Sequence, residues 1–263
     1  MSRIPAGALH HNTLNSILPI LSAKKLPPFV PAFNPLSLGS LNIWFAGDVG
    51  LTSSSWTNQS TSGLSGSVTA FSGMTIVNVN GLPAAHFDIY GNGNFSINVG
   101  SYNRSMFCVF KTDTNLTSGN RINITSEVYL NRNGGWSITT AGLPASNTFF
   151  FDNYTQTPNI SSIYGVTTDT TNLIVAGTSW DYTSTSPNIY MYFNNLIPAA
   201  WGSLKALNDA TASRGAFIGS VLGLYPPATT AWTLCEILVY SRSLTPAEGV
   251  QVTNYLKSKW GVV

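Results

Sequence analysis

The sequence predicts an all-β protein: an antiparallel β-sandwich with one short C-terminal helix and an extended N-terminal arm. Three observations carry this prediction. Eleven short runs rich in β-branched and aromatic residues follow one another from Leu41 onward, separated by Gly, Asn and Pro. The composition, 43% hydrophobic and only 8% charged, leaves Ser, Thr, Asn and Gly to form the polar surface. Six of the fourteen prolines fall within the first 38 residues.

Residues 1–38 include "KLPPFVPAFNP" and sustain neither a helical nor a strand period. Proline fixes φ and favours extended or polyproline conformations, so this segment is expected to be an arm, and residues 39–263 a single domain. The strands of the body are expected in "LNIWFAG", "MTIVNVNG", "AAHFDIY", "FSINVG", "SMFCVFKT", "INITSEVYL", "GWSITT", "LIVAGTSW", "NIYMYFNN", "GAFIGSV" and "TLCEILVYS". Turn chemistry lies between them, in "YGNGN", "NRNGG", "TSTSP" and "FNNLIP". The helix follows the last strand. Thr245 is placed to cap it, Pro246 suits its first position, and Glu248 completes a Thr-x-x-Glu capping box. Val252, Tyr255 and Leu256 then share its packing face, and Lys257 and Lys259 are expected on its solvated side. Gly249 is out of place by propensity, costing about 1 kcal/mol relative to alanine.

Residues 1–47 hold Arg3, Lys24 and Lys25 with no acid, and the remainder has nine basic and ten acidic residues. Three scattered charges do not make a surface that tracks phosphates, which excludes nucleic acid as a partner. No segment reaches the eighteen or so apolar residues of a membrane span. "LNSILPILSAKK" is interrupted by Pro19 and followed, not preceded, by its lysines, so a non-secretory N-terminus is expected. Cys108 and Cys235 lie in apolar runs and read as buried thiols, with a single bridge open if their strands are neighbours. Seven Asn-x-Ser/Thr sequons, including Asn58, Asn94 and Asn115, are expected to be unmodified.

The ending "CEILVYSRSLTPAEGVQVTNYLKSKWG" resembles that of the concanavalin A-like lectin/glucanase superfamily, particularly its laminin-G-like and pentraxin-like jelly rolls. There a last strand is followed by a turn, here Ser241 to Leu244, a capped helix and a final aromatic-Gly, here Trp260 and Gly261. "LNIWFAGDVG", "VNGLPAAHFDIYGNGNFSI" and "LIVAGTSWDYTSTSPNIYMYFNNLIPA" resemble three further family segments in the same order, with Asn195 where a hairpin Gly is usual. The resemblance covers about residues 38–263. It implies a concanavalin A-like jelly roll and brings two activities to test, glycoside hydrolysis and glycan binding.

Hydrolysis by retention needs two carboxyl groups about 5 Å apart, and the related glucanases supply them from a Glu-x-Asp-x-(x)-Glu strand. Here no two acidic residues lie closer than twelve positions, so no enzyme is expected. His86, beside Asp88, is the body's single histidine and reads as part of a polar strand face with Asp88 and Tyr90. The resemblance also raises calcium, for which Asp48, Asp88, Asn92 and Asn94 are the candidate ligands, although the chain has no Asp-x-Asp cluster or EF-hand loop. No other cofactor is expected. For a sugar, the aromatic and planar candidates are Tyr154, Trp180, Asp181, Tyr182 and Trp201. For a protein partner, the arm offers Pro27, Pro28, Phe29, Pro31 and Phe33.

The expected function is a non-enzymatic structural or interaction protein, most plausibly a virion component such as a minor capsid, decoration or fibre-associated subunit. Its arm would dock on neighbouring subunits, by self-association or with other assembly subunits, at a virion or assembly surface. The alternative is a lectin-like module that recognises surface glycans.

Overall fold

The computed structural model describes residues 33–62, 65–97, 104–115, 121–128, 136–141, 149–153, 160–163, 169–181, 189–194, 199–201, 214–219, 228 and 230–263. A short 3-10 helix, Pro35–Leu38, leads into β1 (Leu41–Ala46), β2 (Ala70–Val79), β3 (Leu82–Ile97) and β4 (Arg104–Thr112). There follow β5 (Arg121–Asn123), β6 (Thr125–Val128), β7 (Trp136–Ala141), β8 (Phe149–Asn153) and β9 (Ile160–Ile163). The chain continues through β10 (Ile174–Trp180), β11 (Ile189–Phe193), β12 (Ala199–Trp201), β13 (Arg214–Gly219) and β14 (Trp232–Tyr240) to α1 (Pro246–Trp260).

The larger sheet runs β12-β11-β10-β4-β14-β3-β13-β6, with β1 also on β14 and β2 also on β3; the smaller runs β5-β7-β8-β9. β14 lies at its centre, along β4 on one side and along β3 and then β1 on the other. This antiparallel jelly-roll sandwich with its terminal helix is the fold the sequence predicts.

Alternate residues of β4 divide the apolar interior in two. Met106, Cys108 and Phe110 join Ile43, Phe45, Trp56, Val68, Phe87 and Trp232 on one face, with Ile122 of β5. Phe107 and Val109 join Leu238, Tyr240, Val252, Leu256 and Trp260 on the other, beneath α1. A strand covered on both faces needs apolar residues at every position. That is why "MFCVFK" and "TLCEILVY" are continuous runs and not alternating ones.

Cys108 is opposite Ile237, and the two cysteines belong to different faces. Both thiols are free and buried, and burial raises both pKa values well above the usual thiol range. Neighbouring strands therefore do not bring them into a bridge.

α1 begins as predicted. Thr245 Oγ1 accepts from Glu248 N at 3.3 Å, and Thr245 N donates to Glu248 Oε2 at 2.8 Å. It ends on Gly261 in the left-handed conformation (φ 65°), whose N–H reaches Lys257 O. Gly249 is required by packing: a Cβ there would overlap the ring of Tyr192 from β11.

Residues 33–38, the end of the predicted arm, pack on their own chain. Phe33, Leu36 and Leu38 lie against the layer beneath α1, with the Phe33 ring edge-on to Tyr255 at 6.1 Å. Arg242 Nη2 donates to Leu38 O at 2.8 Å, and Tyr240 Oη to Pro35 O at 3.3 Å. Pro27, Pro28, Phe29 and Pro31 lie outside the described residues.

Candidate functional site

Catalysis would need a carboxylate that can reach a substrate, and Glu236 is the fully buried one among the described residues. A register shift in β14 between Leu234 and Glu236 turns Glu236 toward α1, as Cys235 before it also turns. Its Oε1 accepts from Trp44 Nε1 at 2.7 Å and Tyr255 Oη at 3.1 Å. Its Oε2 accepts from Trp260 Nε1 at 2.8 Å and meets Lys259 Nζ at 2.8 Å. Four donors fill the carboxylate's four lone-pair positions. Burial, and then the charge of Glu236, push the Tyr255 hydroxyl above its ordinary range.

Lys259 also pairs with Asp48 at 2.7 Å, and its side chain is only 8% exposed. This corrects its expected place on the solvated side of α1: the buried carboxylate and Asp48 draw it inward. Asp48 and Glu236 are thus a close acidic pair, but the Lys259 ammonium bridges them and Glu236 has no lone pair left for a glycosidic oxygen. The arrangement is a clasp joining β1, β14 and α1.

His86 also has structural partners. Its Nδ1 lies 3.1 Å from Thr233 Oγ1 and its Nε2 lies 3.7 Å from Asp113 Oδ2, so its acid is Asp113 and not Asp88. Thr233 is 1% exposed, which denies its hydroxyl to an incoming substrate. The predicted polar face of β3 holds only to Phe87. Between Ser72 and Met74 the register with β2 jumps from Asn92 to Phe87, and beyond the jump Ile89 is exposed along with Tyr90.

Among the calcium candidates, Asp48 is engaged by Lys259, and Asp88 Oδ1 accepts from Tyr90 N at 2.8 Å. Asn92 Nδ2 donates to Tyr90 O at 3.2 Å, and Asn94 lies exposed on β3, where β2 and β13 flank it. The sequon Asn58 uses both ends of its carboxamide. Its Oδ1 accepts from Trp44 N and Ser60 N, and its Nδ2 donates to Asn42 O and Ser65 O.

Among the sugar candidates, Trp180 ends β10 and Asp181 follows it. Trp180 is opposite Ile189 of β11, and Ile189 is opposite Trp201 of β12, so the two tryptophans occupy one register row two strands apart. Tyr154 and Tyr182 lie outside the described residues.

At the opposite end of β10 is a groove of about 660 Å³ that sequence reasoning did not single out. It is lined by Asn78 at the end of β2, Asn80 of the β2–β3 turn, Lys111 of β4, Asp169 and Asn172 before β10, and Asn194 after β11, with the segment following α1. Asp169 Oδ1 accepts from Thr171 N at 2.9 Å and Thr171 Oγ1 at 2.6 Å, and these hydrogen bonds hold its carboxyl below the usual range. The volume suits a small ligand.

The fold is an antiparallel β-sandwich closed by a helix. No family model and no curated protein matches the chain. Solved structures share its fold. The binding domain of botulinum neurotoxin serotype D/C superposes with a TM-score of 0.60 at 12% identity, over 85% of this chain and 55% of that one. A Trypanosoma rangeli sialidase in complex with sialic acid gives 0.59 at 11% identity, over 90% and 36%. A botulinum neurotoxin type C structure, described as dependent on two ganglioside molecules for its way into cells, gives 0.59 at 11% identity, over 82% and 51%. The chain therefore spans between about a third and just over half of these neighbours.

Proposed function

We propose that the chain is a non-catalytic glycan-binding module, the lectin-like alternative of the sequence reading. The observation that carries it is a sandwich body shared with toxin binding domains, one of them described with gangliosides, and with a sialidase holding sialic acid. The engagement of Glu236, Asp48 and His86 in structural contacts supports a binding role over hydrolysis. The assembly role rests on arm residues outside those described, and Phe33 at the arm's end is taken up by its own body. Incubating the full chain with a glycan array and with chromogenic glycosides tests the reading. Saturable glycan binding without glycoside cleavage is expected; silence across the array, with and without calcium, would overturn it.

A further inference from the structure

We propose that the groove at the start of β10 is the sugar site, and that its ligand is a neutral saccharide. This rests on the glycan-binding reading and deepens it.

Among the described residues four carboxamides line the groove, and each is tied down at one end. Asn78 Oδ1 accepts from Gly81 N at 2.9 Å, and Asn194 Oδ1 accepts from Val175 N at 2.9 Å. Asn80 Nδ2 donates to Trp260 O at 2.7 Å, and Asn172 Nδ2 donates to Asp169 Oδ2 at 3.1 Å. The other end of each has no partner among the described residues. What remains free is two amide donors, on Asn78 and Asn194, and two carbonyl acceptors, on Asn80 and Asn172. The Lys111 ammonium, likewise without a partner, adds a third donor group.

A side chain held in one orientation loses little freedom when a ligand arrives, so these groups are set in advance for binding. Their mixture of signs selects the ligand. A sugar hydroxyl both donates and accepts, and can use the donors and the acceptors together. A phosphate or carboxylate only accepts. It would place its charge against the carbonyls of Asn80 and Asn172 and the ionised Asp169, with Lys111 as the one cation among the described residues that line the groove. The groove therefore favours neutral hexoses over the sialic acid held by one of the fold neighbours.

The test uses the full chain and the variants Asn78→Asp and Asn194→Asp. Each keeps the Oδ1 that anchors it to a backbone N–H and replaces the free amide donor with an oxygen. Titration with lactose, maltose, mannobiose and sialyllactose, beside an array of neutral and sialylated glycans, reads the outcome. Expected is binding of neutral glycans that falls about tenfold or more in either variant while the melting temperature stays unchanged. Neutral binding unaffected in both variants would remove the groove as the site, and binding of sialylated glycans alone would remove the ligand class; both leave the glycan-binding reading standing. No binding to any glycan would overturn that reading and this inference together.

Discussion

At Gly249 the propensity argument and the packing argument have opposite signs. Alanine favours a helix, but its methyl would enter the Tyr192 ring, and overpacking of this kind costs about 1–3 kcal/mol. Gly249→Ala is expected to lower stability in urea denaturation, where propensity alone predicts a gain. The Tyr192 hydroxyl is buried without a hydrogen-bond partner among the described residues, so Tyr192→Phe is expected to leave stability unchanged or raise it. Glu236 behaves in the opposite way, since its carboxylate accepts from four donors and an amide can replace only one of its oxygens. Glu236→Gln turns the other into a donor facing donors, with Asp48 left as the counter-ion of Lys259, and is expected to cost about 1–3 kcal/mol in the same measurement. None of these pairings could be read from the sequence, because each joins residues whose closeness only the strand order creates. Glu236 looked like one polar residue in an apolar strand, and nothing local marked Trp44, 192 positions away, as its partner.

The elements were legible where their signals are local. Thr245, Pro246 and Glu248 fix the start of α1 within four residues, and all three take the predicted roles. Glu248 does more than cap: Arg242 Nη1 and Nη2 donate to its two oxygens at 2.9 and 2.7 Å, and these bonds lead the causes that hold its carboxyl at about 2. A carboxyl whose pKa is lower in the folded chain stabilises it above the unfolded pKa of 4.5 and loses that contribution as pH falls toward 2. Melting temperatures measured between pH 5 and 2 are expected to fall, and Glu248→Gln to start lower at pH 5 and fall less. The break in β3 had an ambiguous signal: "YGNGN" reads as a turn between two strands, but β3 runs through it as one strand and the glycines mark a register break instead. Its alternation reads cleanly through Ile89, while the interruption comes from the register with β2.

The centre of the larger sheet, β4 and β14, is covered on both faces, and that arrangement was half visible in the sequence. The apolar runs of β4 and β14 announce double burial, and the capped helix after β14 is the natural cover. The groove was not visible, because its lining comes from five separate stretches of chain, strand ends and turns that are unremarkable by themselves. Ending the chain after Ser243 removes the cover and leaves Glu236 without three of its four donors. Such a truncation is expected to be insoluble or to bind a hydrophobic dye, checked by expression yield and dye fluorescence. The same clasp has a consequence for folding. Tyr255, Lys259 and Trp260 all follow β14 in the chain, whereas Trp44 lies in β1. Until α1 docks, the centre of the sheet holds a carboxylate without three of its four donors, so the sheet and its helical cover must settle together.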